Sequence, residues 1–325
     1  MRIKVKFFFS HSYTMNLVYA AKPRYGGWVS FTAHLCLKYN ANLYKIGNNT
    51  ETKKRPYGYN VEYQNIDAVE LINKPNLIIT AIDKNYYKYL NLFPDNTVIV
   101  IHDPTEVKGK SCQPVIDNLA RFKVVTIRQT VQKFLKEKYD IESEFLHHPF
   151  YEYPKKSGFK TKAVSISRID YDKHTEIILE ANEKLSHPID IYGAKNDLYV
   201  YRKLKDMNLD LWYKGRFDKS FEAVNNILKD AKFVVDMSAI KNDGGGSQYT
   251  FLEAIYEECA LVLSNKWVDS VNSEYKNNYN CFIVSNSDEL VSVIHNSENT
   301  SNIINNANKL LKPHVDVNWS KLFSK

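Results

Sequence analysis

The sequence predicts an α/β protein built of two Rossmann-like domains in series, facing one another across a cleft. Three observations predict it. Short apolar runs alternate with helix-length amphipathic runs along the whole 325-residue chain. The alternation occurs twice, and a polar join, "HHPFYEYPKKSGFK" (147–160), separates the two rounds. The length fits two domains of about 150 residues each.

In the first round the candidate strands are Ile3–Phe9, Asn42–Ile46, Asn76–Ile82, Thr97–Ile101, Lys123–Ile127 and Glu144–His148, with helices such as Val29–Tyr39 and Val131–Tyr139 between them. In the second they are Ala163–Ile169, Ile189–Tyr192, Leu209–Tyr213, Phe233–Met237, Ala260–Leu263 and Cys281–Val284. Helices there include Thr175–Leu185, Phe221–Ala231, Tyr249–Glu258 and Ser287–His295. Strands separated by helices form βα units, whose parallel sheets are covered on both faces. The domains are expected at 1–150 and 151–325. The tail "KPHVDVNWSKLFSK" reads as a last helix that crosses back, with Trp319 and Leu322 on one side.

Composition narrows the class. Hydrophobic residues at 44% and charged residues at 25% are the balance of a soluble globular protein. No apolar run nears the roughly 18 residues of a membrane span, and "MRIKVKFFFS" has no signal-peptide core. Cys36, Cys112, Cys259 and Cys281 lie far apart without a CxxC pair, which argues against a zinc site or disulfide scaffold. A cytoplasmic location is therefore expected. Lys and Arg exceed acids by 44 to 37, a formal +7 that permits a polyanionic partner, although no basic run concentrates it.

Ligands of open parallel sheets bind beyond the carboxyl ends of the strands. Neither half carries a G-x-G-x-x-G turn or a P-loop, which disfavours a dinucleotide enzyme or P-loop NTPase. In "SISRIDYDKH" (165–174), Arg168 and Lys173 flank a strand-to-helix turn, where two cations and a helix mouth suit a diphosphate. The competing reading is an Arg168 paired with Asp170 or Asp172 on the surface. "LWYKGRF" (211–217) runs into Gly215, which either lets a flat base lie against backbone or is a simple turn glycine. In "NDGGGSQYTFLEAIYEECALVLSN" (242–265), Gly244, Gly245 and Gly246 permit close backbone approach, and Ser247 is a candidate N-cap. Gln248 and Glu253 lie about 500° apart around the following helix and do not share a face. The Glu253 carboxylate suits a vicinal diol such as a ribose, or else faces solvent beside Glu257 and Glu258. Together the three segments read as a pocket for a nucleoside diphosphate.

With these motifs the chain resembles the GT-B glycosyltransferases, in particular the retaining, family-4-like branch. The matching features are the Arg-x4-Lys pair Arg168 and Lys173, the glycine turn before a Leu-Glu-Ala helix, Gly26-Gly27 in "KPRYGGWVSFTAHL", and His102 at a strand end in "VIVIHDP". The likeness spreads over nearly the whole chain. It departs at Gly245, where the family often carries a glutamate eight residues before Glu253. Within the family the chain is similar to the T-even phage DNA α-glucosyltransferases, which share a His-Asp pair, here His102-Asp103, and a helix like "YTFLEA" that begins at Tyr249.

The resemblance implies a nucleoside-diphosphate sugar donor, UDP-linked, held by Gly26, Gly27, Arg168, Lys173, Gly215, Gly244, Gly245, Gly246, Ser247, Gln248, Tyr249 and Glu253. It implies catalytic roles for His102, Asp103, Arg168 and Lys173, retention of configuration, and no metal or further cofactor. His11 is a secondary candidate. The acceptor it implies is hydroxymethylated cytosine in double-stranded DNA, reached past Lys22, Arg24, Lys53, Lys54, Arg55, Lys108 and Lys110. The alternatives are a polysaccharide or lipid-linked glycan acceptor, a nucleotide-sugar epimerase, and a non-catalytic nucleotide-sugar- or DNA-binding protein. Oligomeric state is not legible.

Overall fold

The computed structural model describes residues 14–23, 26–47, 59, 61–217, 219–239, 248–271, 274–296 and 300–324. Among them the first sheet holds seven strands: β1 (Asn16–Ala20), β2 (Asn42–Ile46), β3 (Gln64–Ile66), β4 (Leu77–Ile82), β5 (Val98–Ile101), β6 (Lys123–Thr126) and β7 (Glu144–Phe145). Helices α1 (Gly27–Tyr39), α2 (Gln113–Leu119) and α3 (Gln129–Tyr139) accompany it. The second sheet holds six: β8 (Lys162–Ile166), β9 (Asp190–Tyr192), β10 (Tyr213–Gly215), β11 (Ala231–Asp236), β12 (Ala260–Ser264) and β13 (Phe282–Val284). With it go α4 (Thr175–Asn182), α5 (Asp197–Tyr199), α6 (Leu209–Trp212), α7 (Phe221–Leu228), α8 (Gln248–Tyr256), α9 (Asn265–Val271), α10 (Ser287–His295) and α11 (Thr300–Asp316).

Every strand pairing is parallel, in the orders β3-β2-β1-β4-β5-β6-β7 and β10-β9-β8-β11-β12-β13. Because helices cover both faces, a central strand such as β4 ("LIITAI") is buried at all six positions. Strand order reverses between β1 and β4 and again between β8 and β11. These are the two places where diverging βα connections open a crevice.

The structure departs from expectation in four places. The strand expected at Ile3–Phe9 lies outside the described residues, and the first described strand is β1, "NLVYA", at a place where none was expected. Its buried Asn16 is tolerated because its side chain donates to Pro75 O at 2.6 Å and accepts from Asn42 Nδ2 at 2.9 Å. The strand expected at Leu209–Tyr213 begins only at Tyr213. Leu209–Trp212 is a helical turn in which Leu209 is buried and Leu211 is 68% exposed, so the apolar run is not a core run.

The join at 147–160 is irregular, as expected, and its second half, 154–159, is exposed as a linker would be, but its first half is packed into the protein. His148, Phe150 and Tyr153 are buried, and the Tyr151 amide donates to His34 Nδ1 at 3.0 Å. The last long helix starts at Thr300, earlier than expected, and a 3-10 turn, Trp319–Phe323, follows it. The tail then packs on α1. Tyr39 donates to Val317 O at 2.6 Å, Trp319 meets Phe31 edge-on at 5.3 Å, and its indole donates to His147 O at 3.1 Å.

Candidate functional site

A cavity of about 620 Å³ lies where the two switch points face each other, a volume within the usual range for a small-molecule site. One wall comes from the first sheet's connections and includes Gly26, Gly27, Trp28, Ser30, His102, Asp103, Glu106 and Arg128. The other comes from the second sheet's connections and includes Ser167, Arg168, Asp172, Lys173, Gly193, Ala194, Arg216, Phe217, Lys219, Tyr249 and Thr250.

The second wall is cationic. Beyond β8 the Arg168 guanidinium lies 2.9 Å from Asp170 and 3.4 Å from Asp172, so the surface pairing weighed against the diphosphate reading is present although Arg168 also lines the cavity. Asp170 caps the turn Tyr171–Lys173 that opens α4. That turn delivers Lys173, which is 7% exposed, with Nζ donating to Ser238 Oγ at 2.8 Å. Gly193, beyond β9, has φ +146, and a Cβ there would lie 1.7 Å from Ser167 O. Only glycine lets the ends of β8 and β9 close up to form this wall. Arg216, Phe217 and Lys219 follow β10. Gly215 itself takes φ +100 to end that strand and does not line the cavity.

In the first turn of α8, Tyr249 stacks on His34 at 4.5 Å and donates to Pro149 O at 3.0 Å. One turn further, Glu253 is only 2% exposed and is not among the cavity-lining residues. Its Oε1 accepts from the Tyr59 hydroxyl at 2.7 Å and lies 3.7 Å from His34 Nε2. Burial alone would raise the Glu253 carboxyl, but the Lys219 charge and the contacts with His34 and Tyr59 hold it below the usual carboxylate range. Glu253 therefore does not face solvent.

The first wall is polar without net charge. Gly26, at φ +102, turns the chain into α1, and Trp28 follows in the first turn. The Trp28 indole donates to Glu106 Oε1 at 2.8 Å, and the His102 amide donates to Glu106 Oε2 at 3.1 Å. Burial pushes the Glu106 carboxyl up to about 8, against the pull of those two donors. His102 Nε2 lies 2.7 Å from Thr80 O; a carbonyl only accepts, so Nε2 carries the hydrogen and Nδ1 is the acceptor nitrogen. Burial lowers this imidazole to about 4, so it is neutral at physiological pH. Asp103 caps the turn Pro104–Val107 and pairs with Arg128 at 3.4 Å.

Of the residues singled out by sequence, Gly26, Gly27, His102, Asp103, Arg168, Lys173 and Tyr249 meet around one cavity, whereas Gly215 and Glu253 stand behind it. His11, Gly244, Gly245, Gly246, Ser247 and the Gln248 side chain lie outside the described residues, as do Arg24, Lys53, Lys54 and Arg55. Sequence reasoning missed Trp28 as a site residue, and Glu106, Arg128, Gly193, Arg216 and Lys219 altogether. Gly193 in "IYGAK" was findable, since it follows a strand just as Gly215 does. Among the described residues, no group of three or more His, Cys, Asp or Glu side chains is placed to hold a metal ion, and no helix is long and apolar enough to cross a membrane.

No family model and no curated protein sequence matches the chain. Solved structures do. HepE of Anabaena, in complex with UDP, is 13% identical with a TM-score of 0.66, covering 94% of this chain and 96% of that one. A further HepE structure holds UDP-glucose. TarM of S. aureus, in complex with fondaparinux, alpha-GlcNAc-glycerol and UDP, is 17% identical with a TM-score of 0.57, over 79% of this chain and 58% of TarM. Sucrose-phosphate synthase of Thermosynechococcus elongatus is 10% identical with a TM-score of 0.62, covering 95% and 96%. At such identities the likeness is one of fold, and the chain has the GT-B architecture, two parallel-sheet α/β domains astride a cleft.

Proposed function

We propose that this chain is a glycosyltransferase that moves a sugar from a UDP-linked donor to an acceptor hydroxyl, with residues 1–150 forming the acceptor-side domain and 151–325 the donor-side domain. The observation that carries the reading is the asymmetry of the cavity. Arg168, Lys173, Arg216 and Lys219 gather on one wall, and a polar wall without net charge faces them. HepE and TarM, of the same fold, were each solved with UDP, which supports that nucleotide.

In this reading Arg168 and Lys173 hold the diphosphate. Their charge counts most as the glycosidic bond breaks, when negative charge grows on the leaving phosphate. Gly193, Ala194, Arg216 and Phe217 give the base a backbone-lined slot closed by an aromatic ring. Glu253 reaches a ribose only when Tyr59 releases it, so donor binding competes with the Tyr59 contact. His102 accepts a hydrogen bond from a sugar hydroxyl through Nδ1, and with its pKa near 4 it is a poor base. Retention, which the resemblance implies, has the acceptor oxygen bond to the anomeric carbon as the bond to diphosphate breaks. The diphosphate then takes both the electron pair and the acceptor's proton.

The DNA acceptor expected from the resemblance has only the net charge of +7 behind it, which permits such a partner without selecting it. Of the residues assigned to that path, Lys22, Lys108 and Lys110 are described, and none lines the cavity. The test is UDP release from UDP-glucose, UDP-galactose and UDP-N-acetylglucosamine, with water as acceptor. Slow release by the wild type and its loss in Lys173→Ala support transfer. Tight donor binding without release from any of the three would make the chain a binding protein.

A further inference from the structure

We propose that the wall formed by Trp28, His102, Asp103 and Glu106 is the acceptor subsite, that it takes an uncharged carbohydrate, and that Trp28 and Glu106 are its recognition pair. The proposal rests on the donor reading above.

Trp28 and Glu106 come from different elements, the first turn of α1 and the turn after β5, and both line the cavity. They are fixed to each other at 2.8 Å, and the His102 amide fixes the second carboxyl oxygen at 3.1 Å. The indole stands tilted beside the His102 ring, with centroids 6.4 Å apart. A partly exposed indole held by its N–H leaves its apolar ring for contact, and sugar rings present an apolar C–H face of matching size. The Glu106 carboxyl beside it, and Nδ1 of His102, supply hydrogen-bond partners for ring hydroxyls.

Charge then selects the class. Asp103 is neutralised by Arg128 at 3.4 Å, His102 is neutral, and burial keeps Glu106 largely protonated at pH 7. The wall's one cation, Arg128, is paired with Asp103, so the wall presents no net positive charge to a phosphodiester, whereas nucleic-acid sites depend on cations set along the backbone. Lys108, the nearest basic residue in sequence, has its ammonium over the Phe134 ring at 5.0 Å. A neutral polyhydroxyl molecule loses nothing to charge here, and it meets a donor diphosphate on the far wall without repulsion.

The test uses the full chain saturated with UDP, applied to an array of neutral oligosaccharides and to a duplex containing hydroxymethylcytosine. The wild type should retain a class of neutral glycan in a salt-insensitive way. Trp28→Ala and Glu106→Ala should each weaken that retention about tenfold or more, with UDP affinity held within about twofold. Trp28→Phe, which keeps an aromatic face, should fall between. Retention of the duplex that collapses with salt would overturn the proposal, and so would glycan binding unchanged in both Ala variants, or no glycan retained. Loss of UDP binding in both variants would mark the pair as structural and overturn it too. A wild type that fails to bind UDP brings down the donor reading first, and is seen before any glycan is added.

Discussion

Tyr59 donates its phenolic hydrogen to the Glu253 carboxylate at 2.7 Å, tying the first domain to α8 of the second across 194 residues of sequence. The same residue is tied by its backbone, whose amide donates to Lys219 O at 2.6 Å, and its ring lies 5.6 Å beneath the Lys219 ammonium. A buried carboxylate without this donor is left under-satisfied, so Tyr59→Phe should destabilise the fold by about 2 kcal/mol in urea unfolding. The same change frees Glu253 for a ribose diol. UDP affinity, measured by calorimetry, is therefore expected to rise, and a fall would show that Glu253 is not a donor ligand.

Lys173 and Arg168 should not contribute equally. Lys173 is buried, donates to Ser238 and lies 3.7 Å from one carboxylate, Asp172, whereas the more exposed Arg168 must first leave two at 2.9 and 3.4 Å. Lys173→Met should cost about 2–3 kcal/mol of UDP binding, and Arg168→Met about 1 kcal/mol. Calorimetry on both variants gives the comparison; equal losses would contradict the ordering.

Gly193 tests the wall itself. Alanine there would place a Cβ 1.7 Å from Ser167 O at φ +146, so the ends of β8 and β9 must part. Gly193→Ala should lower stability by about 3 kcal/mol or more, visible as a fall in Tm, and weaken UDP binding with it.

Acid sensitivity should localise in part to His314. Its Nδ1 donates to His148 O at 3.0 Å, and burial, with the His147 ring at 5.0 Å, lowers it to about 4. The unfolded chain takes up a proton near 6.5 and the folded chain only near 4. Stability from this group is thus complete above 6.5 and lost as pH falls towards 4. Across that window the wild type should lose stability faster than His314→Gln, by at most about 1.4 kcal/mol per pH unit. Parallel urea midpoints from pH 7 to pH 4.5 would contradict this.

Elements with one clear period were legible. Asn42–Ile46 and Ser287–His295 fall where the sequence puts them, because their apolar spacing and end signals agree. β1 was not, since Asn16 interrupts its apolar run and is accommodated by distant partners, Pro75 and Asn42. Strand ends drew attention to Arg168, Lys173 and His102. Glu106 escaped because nothing in "HDPTEV" tells a cleft carboxyl from a solvated one; its environment comes from Trp28, far away on α1. Glu253 was found as a carboxylate, but its link to Tyr59 and His34 is a matter of how the two domains meet.

The most direct measurement is a crystal structure of the full chain with UDP. The account predicts the diphosphate between Arg168 and Lys173, at the mouths of β8 and α4, with uracil near Gly193 and Arg216. Nucleotide density elsewhere on the molecule, or an Arg168 still held by Asp170 and Asp172 with UDP bound, would contradict it.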